Sequence, residues 1–370
     1  MTVIDNLGRT RDGHAHAPRG VVLPHANATT GTVLDLIGNT PVVRLHSLAR
    51  DIEARVLVKL EGRNPGGSSK DRIALNMVRE AEASGALRPG QTIVESTSGN
   101  TGIGLALVGR VTGHPVVIVH SGLVSLEKLA VLRSYGAELV EADPQAGPLD
   151  PGNPRAVAQR IAQDRDGWWS SQFLNPANPG AHYRGTGPEV WRQTAGAVTH
   201  FVASIGTGGT ISGTGRYLRE ASDGRVRIIG ADPVGSTYSG HQPGPIAVDG
   251  VGTQWPSSSW PTSFHPGVVD EVRVVPDQRV YATVRALAEQ EGLFLGPSSG
   301  LAVAVALDVA REAPRGSTVV VVSPDGGLNY LSKSFEQDRL ASGDPAAQSG
   351  SDGAHTGPSS SSDLKKGHRA

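Results

Sequence analysis

The chain contains no cysteine, which excludes disulfides, thiolate metal centres, iron–sulfur clusters and a cysteine nucleophile. It also carries almost no net charge, 34 Lys+Arg against 35 Asp+Glu leaving a formal −1 over 370 residues. Dedicated binders of nucleic acid or anionic membranes show a basic excess, so neither partner is expected. No run of 18 or more apolar residues occurs, which argues against a membrane-spanning helix. Residues 1–20 lack the apolar stretch of a secretory signal. Aromatics make up only 4%, whereas Gly 48 and Pro 25 supply about a fifth of the chain and imply many turns. At ~150 residues per domain, the length fits about two domains. The composition leads us to expect a cytoplasmic α/β enzyme.

Both ends read as tails. Residues 1–30 are polar and His-rich, and residues 341–370 are rich in Ser, Gly, Ala and Asp with no aromatic. Such segments bury too little apolar surface to offset the entropy of ordering, and both are expected to be disordered. The His14/His16 pair and the basic stretch 365–369 read as solvated tail; no metal site is expected. Between the tails, short β-branched runs alternate with longer segments of helical period. Strands are predicted over 54–60, 92–94, 115–119, 138–141, 199–204, 227–231, 271–275 and 318–322. Helices are predicted over 71–84, 102–112, 126–135, 154–164, 186–195, 210–221, 277–291 and 300–312. This alternation predicts parallel sheets covered on both faces.

The candidate chemistry lies in four turns that each precede a helix. In NPGGSSKDR (64–72), Lys70 opens a helix. The helix N-terminus is already positive, so this placement favours the free amine that a Schiff base needs; a surface lysine in a polar first turn is the alternative. In ESTSGNTG (95–102), Thr97, Ser98, Asn100 and Thr101 gather hydroxyls and an amide at a helix start. That cluster suits a carboxylate, although a single cap residue would also satisfy a helix end. In SIGTGGTISG (204–213), Gly206, Gly208 and Gly209 let the backbone close around a phosphate, with hydroxyls from Thr207 and Thr210. No Lys follows in the Walker pattern and the Rossmann spacing does not fit; tight helix–strand packing is the competing explanation. In LGPSSG (295–300), Ser298 or Ser299 is a cap or a neutral hydroxyl at a site. Ligands of parallel α/β proteins bind at the carboxyl ends of the strands, and an amine, a carboxylate nest and a phosphate nest gathered there suit an amino-acid substrate on pyridoxal phosphate.

Residues 36–46 (LIGNTPVVRLH), 61–74, 95–107, 127–138, 172–183 (QFLNPANPGAHY), 202–213 and 291–303 resemble, in collinear order, the cysteine synthase/cystathionine β-synthase family of fold-type II, tryptophan synthase β-like pyridoxal-phosphate enzymes. The resemblance implies an α/β fold of two open parallel-sheet domains with the active site between them. We expect an N-terminal part over 31–180 carrying the lysine and the carboxylate loop, and a C-terminal part over 181–340 carrying the phosphate loop. It implies pyridoxal 5'-phosphate bound through Lys70, Asn100, Gly206, Thr207, Gly208, Gly209, Thr210 and Ser298. Lys70 matches the Schiff-base lysine, Asn100 the partner of the ring hydroxyl, and Ser298 the serine facing the pyridine nitrogen. Thr97, Ser98, Asn100, Thr101, Gln172 and Gly252, the last within the stretch 250–252, match positions that hold or line the substrate. A homodimer and amino-acid substrates are implied by the same likeness. A neutral serine at the pyridine nitrogen makes a weaker electron sink than a carboxylate, favouring rapid loss of a β-leaving group. The reaction implied is β-replacement on L-serine or an O-acetyl or O-phospho L-serine, through an aminoacrylate, by a thiol or sulfide, giving cystathionine or cysteine.

Two stretches, ADPVGSTYSG (231–240) and SPDGGLNYLSKSF (323–335), are more similar to bacterial cystathionine β-synthases than to typical cysteine synthases. The C-terminal tail stands where many of those enzymes carry regulatory domains, so control by S-adenosylmethionine is not expected. Departures from the family pattern are Ser96, Ser69 and the turn His120, Ser121, Gly122. A variant reading E-S-T-S-G-N also occurs in relatives that make 2,3-diaminopropionate precursors with an amine nucleophile, which keeps that reaction open beside β-elimination and a catalytically silent scaffold. Trp168, Trp169 and the 255–261 stretch are expected to pack in turns or the core rather than line an entrance. His182 and His241 are expected to be structural, and Arg72 to form a structural ion pair after Asp71.

Overall fold

The computed structural model describes residues 30–97, 99–122, 124–143, 145–147 and 150–332. Ser98 and the expected tails, apart from Thr30, lie outside the described residues. In chain order the elements are β1 (Val42–Arg44), β2 (Arg55–Leu60), α1 (Lys70–Ser84), β3 (Ile93–Ser96), α2 (Asn100–Thr112), β4 (Val116–His120), α3 (Leu126–Ser134), β5 (Glu138–Glu141) and α4 (Pro154–Asp164). There follow β6 (Trp168–Trp169), α5 (Ala177–Ala181), α6 (Gly187–Gln193), β7 (His200–Ser204), α7 (Gly209–Ala221), β8 (Arg227–Pro233), β9 (Glu271–Val275), α8 (Asp277–Glu291), α9 (Pro297–Glu312) and β10 (Thr318–Ser323). They form a six-stranded sheet, β1-β2-β10-β7-β8-β9, and a four-stranded sheet, β5-β4-β3-β6. All four-strand pairings are parallel. The larger sheet is parallel except at its edge, where β1 runs antiparallel to β2 and makes it mixed.

Every residue of β4, β7 and β10 is buried, as expected of strands covered on both faces. Helix α9, rich in Ala and Val, is buried over most of its surface and packs against β10 and β7. The sequence pattern missed β1, β6 and α5. Strands of three and two residues are too short to show an alternation, and their pairing partners supply the stabilisation. Helix α5 contains Pro179 and Gly180 and runs into a π-helical turn, His182–Thr186, which only its neighbours make tenable. The sheets do not part at residue 180: β1 and β2 join β7 to β10 in the larger sheet. With β10 inserted between β2 and β7, the turns that leave all three strands meet at one edge.

Burial of charge is concentrated where that edge meets the helices. Arg72 pairs with Glu61 at 2.5 Å and Glu189 at 2.7 Å, and Lys59 pairs with Glu189 at 2.8 Å. Thr40 donates to Glu61 at 2.6 Å. The expected ion pair of Arg72 is therefore structural, but its partners come from the turn after β2 and from α6. Asp71 instead accepts from the Gly66 amide at 2.5 Å. Burial alone would raise the Glu61 carboxyl; the Arg72 guanidinium and Lys59 overcome it and hold it down at about 2. The folded value lies below the ordinary one of 4.5, so this contribution is complete above about pH 4.5 and is lost as pH falls through about 2. Glu61→Gln is expected to cost about 3–5 kcal/mol by leaving Arg72 and Lys59 undercompensated. It is also expected to flatten the acid limb of the stability curve, read by denaturant unfolding across that range.

Candidate active site

At the edge shared by β2, β10 and β7 lies a cavity of about 290 Å³. Lys70, Thr97, Asn100, Thr101, Gln172, Gly206, Thr207, Gly208, Thr210, Gly252 and Ser298 all line it, so one space gathers residues from the four turns. Gly209 stands behind the wall, where an added Cβ would collide with the Asn178 side-chain oxygen.

Lys70 is the first residue of α1, held there by two backbone ties between its turn and the end of β10. The Ser69 amide donates to the Pro324 carbonyl at 2.8 Å, and Ser68 bridges Asp325. Its Nζ lies 3.4 Å from Ser69 Oγ. The ammonium pKa is lowered, chiefly by burial, against the opposing pull of Asp325, Glu61 and Asp71. The direction agrees with the sequence expectation, but desolvation rather than helix position is the leading cause.

The glycine turn after β7 delivers the N-terminus of α7, whose first amides have no intrahelical partner. Gly208 adopts φ +84, a conformation that favours glycine. Thr207 Oγ1 accepts from Asn178 Nδ2 at 3.0 Å. Thr210 shares a hydrogen bond of 3.1 Å with His182 Nε2, and the other ring nitrogen of His182 meets Thr186 at 2.9 Å. Burial, reinforced by Arg72, pushes His182 down to about 3, so it stays neutral and structural at pH 7. His241 is exposed and meets Ser239 at 3.2 Å, away from the cavity lining.

In the turn after β3, Thr101 Oγ1 donates to Gln172 Oε1 at 2.6 Å, and Gln172 Nε2 donates to the Ser96 carbonyl at 3.3 Å. Glu95, beneath them, accepts from Ser170 Oγ at 2.6 Å and from the Gln172 amide at 2.9 Å. Asn100 Nδ2 donates to Asp325 at 2.6 Å, while its Oδ1 and Ser204 Oγ are buried without a hydrogen-bond partner among the described residues. Buried polar atoms of that kind are costly unless a ligand satisfies them.

Sequence reasoning missed Asp325, Tyr330, Lys128 and Asp249, all of which line the cavity. Tyr330 donates its hydroxyl to Asp325, and the Lys128 ammonium lies 3.9 Å from the Tyr330 ring centroid. Burial first, then Asp325, raises the Tyr330 phenol well above its ordinary value, so it remains a donor. Asp325 carried a usable signal, an acid two residues past the end of a strand with a continuous valine run. Lys128, inside an ordinary helix pattern, carried none.

A second cavity of about 1210 Å³ opens beside the first and shares Thr97, Phe173, Gly206 and Gly252 with it. Trp255, Pro256 and Pro261 line it, so the 255–261 stretch does reach a cavity, whereas Trp168 and Trp169 pack on core clusters. Ser96, His120 and Ser121, where the sequence departs from the family pattern, also line it.

Residues 33–325 match the family described as "Pyridoxal-phosphate dependent enzyme", and the chain belongs to it. Within that family it is an enzyme of the cysteine synthase/cystathionine β-synthase group. It is 42% identical over 314 residues to cysteine synthase B of Salmonella typhimurium, covering 84% of this chain and 98% of that one. It is 39% identical over 309 residues to cystathionine beta-synthase of Apis mellifera, covering 81% of this chain and 60% of that one. The solved structure of O-ureido-L-serine synthase superposes with a TM-score of 0.79 at 36% identity, covering 88% of this chain and 100% of that one. Members of the family use pyridoxal phosphate. Among the described residues, no helix is long and apolar enough to cross a membrane.

Asp325→Ala would release the Asn100 amide and leave its Oδ1 free to swing. It is expected to weaken pyridoxal-phosphate binding roughly ten- to hundredfold, the loss of a charge-assisted hydrogen bond worth about 1.5–3 kcal/mol. Titration of the cofactor-free protein, followed by visible absorbance, measures this.

Proposed function

We propose that the cavity is the active site of a β-replacement on L-serine or an O-acetyl or O-phospho L-serine, with a thiol or sulfide as nucleophile. The observation that carries this reading is the opening of a desolvated amine, a hydroxyl–amide turn and a glycine-rich helix start into one space. The residues present fit pyridoxal phosphate. The α7 amides, Thr207 and Thr210 suit its phosphate, the orphaned Asn100 Oδ1 suits a ring hydroxyl, and Ser298 offers a neutral hydroxyl to a ring nitrogen. Bound there, the cofactor would supply an electron sink for charge developing at the substrate Cα.

Lys70 Nζ would hold the cofactor and, as a free amine, would serve as the base for the substrate α-proton. Its lowered pKa keeps a larger share of the amine unprotonated near neutral pH. Thr97, Thr101 and the α2 amides hold the substrate carboxylate; Gln172, clamped to Thr101 and Ser96, sets the orientation of that turn. Asp325 ties down the Asn100 amide through Nδ2 and leaves Oδ1 without a partner among the described residues. A homodimer belongs to the same proposal, supported by exposed Leu126, Leu328 and Leu331 on α3 and the turn that packs against it. Light scattering should give twice the chain mass.

The second reading is a nucleophile without sulfur, toward which the name of one similar structure, O-ureido-L-serine synthase, points.

Purified protein is expected to absorb in the visible as lysine-bound cofactor does, and Lys70→Ala to lose that absorbance together with all turnover. A colourless wild type that takes up no cofactor overturns the reading. Serine with homocysteine, O-acetylserine with sulfide, and O-phosphoserine with glutamate, assayed side by side, identify the substrate pair. Pyruvate released without a nucleophile would reassign the chain to β-elimination.

A further inference from the structure

The second cavity holds a cation that the reaction as described above does not use. Arg155, the second residue of α4, is placed by the Asn153 cap, whose side chain accepts from the Arg155 amide at 3.0 Å. Its guanidinium carbon lies 3.9 Å from the ring centroids of both Phe173 and Trp255. Those two rings, 5.9 Å apart and inclined at 62° to each other, form a corner that holds it on two adjacent sides. The two cation–π contacts fix the position of the guanidinium and use none of its N–H donors. Yet among the described residues Nη2 is buried without a hydrogen-bond partner, and no carboxylate forms an ion pair with the side chain. The nearest buried acid in influence, Glu95, already accepts from Ser170 Oγ, the Gln172 amide and the Ser96 amide. Asp150 lines the same cavity, but its Oδ1 accepts from the Gly152 amide at 2.7 Å. Burial draws the Arg155 pKa down to about 10, against the pull of Glu95, which still leaves it charged at pH 7.

A half-buried guanidinium with one buried nitrogen left without a partner among the described residues is costly to maintain in a fold. Its fork matches carboxylates and phosphates. Phe173, one of the rings that hold it, lines both cavities, as do Thr97, Gly206 and Gly252. A substrate seated at the α2 turn can therefore extend its Cβ substituent past these residues toward Arg155.

We propose that Arg155 reads an anionic group, a carboxylate or a phosphate, carried by the group exchanged at the substrate Cβ. This rests on the β-replacement reading for its context, and the anion has two sources: the leaving group or the incoming nucleophile. Ser96, His120 and Ser121 border the same space and complete a polar wall around that anion.

Charged and uncharged twins separate the sources. In the first arm, O-phospho-L-serine is compared with O-acetyl-L-serine, both with sulfide. In the second, mercaptoacetate is compared with 2-mercaptoethanol, both with O-acetyl-L-serine. Arg155→Gln, checked for unchanged cofactor absorbance, is expected to lower the charged-to-neutral ratio of kcat/KM at least tenfold in one arm, and that arm names the source. Arg155→Lys, which keeps the charge but loses the fork, is expected to recover part of the ratio.

Binding provides a readout independent of turnover. The cofactor-loaded protein is titrated with inorganic phosphate and with acetate, and tryptophan fluorescence is followed because Trp255 touches the guanidinium. Saturable binding in the wild type is expected to weaken at least tenfold in Arg155→Gln. A drop in either readout supports the assignment. Ratios unchanged in both arms, together with equal binding, overturn it. If the wild type turns over none of the pairs, the β-replacement reading fails, and the binding titration alone then decides for or against the anion site.

Discussion

The site depends first on the buried guanidinium of Arg72. It lies two residues beyond Lys70, on the first turn of α1, and is clasped by Glu61 from the turn after β2 and by Glu189 from α6. Lys59, from β2 itself, shares Glu189. Charges buried in this way cost a great deal unless each is paired and hydrogen-bonded. The cluster therefore tolerates one arrangement of strand, turn and two helices. That arrangement sets where the Lys70 amine emerges. A looser, apolar contact at the same place would leave α1 free to shift along the sheet.

Around this anchor the cavity balances two demands. Desolvation lowers the Lys70 pKa, whereas Asp325 nearby opposes the shift. Asp325 is itself held by Tyr330 and Asn100, so its charge is fixed in direction and serves to orient an amide. Among the buried polar atoms without a partner in the described residues, Asn100 Oδ1 and Ser204 Oγ belong to residues lining one cavity and Arg155 Nη2 to a residue lining the next, where the proposed ligands would satisfy them. The two cavities share a wall, which separates an inner chamber built from the strand ends from an outer one whose lining differs from the family pattern.

Much of this was legible beforehand. The long helices α4 and α8, and the short strands β5 and β9, begin and end where their apolar patterns place them. The glycine turn at 206–209 and the hydroxyl-rich turn at 97–101 announce themselves because short side chains are needed wherever backbone must approach a ligand. The strands β1 and β6, of three and two residues, and the turn of α5, which contains Pro179 and Gly180, were not legible, since strands that short show no alternation and Pro and Gly argue against a helix.

By itself the sequence determined the α/β fold class and, through short contiguous motifs that resemble a known family, singled out the four turns and Lys70 as candidates, because strand–helix alternation and glycine–hydroxyl turns are encoded locally. Only the tertiary structure decided which sheet β1 and β2 join, that Arg72 answers Glu61 and Glu189 rather than its neighbour Asp71, and that Asp325 and Arg155 stand at the cavities. Those outcomes rest on contacts between residues far apart in the chain and on burial. Burial is a property of the packed chain as a whole and is written in no single stretch of it.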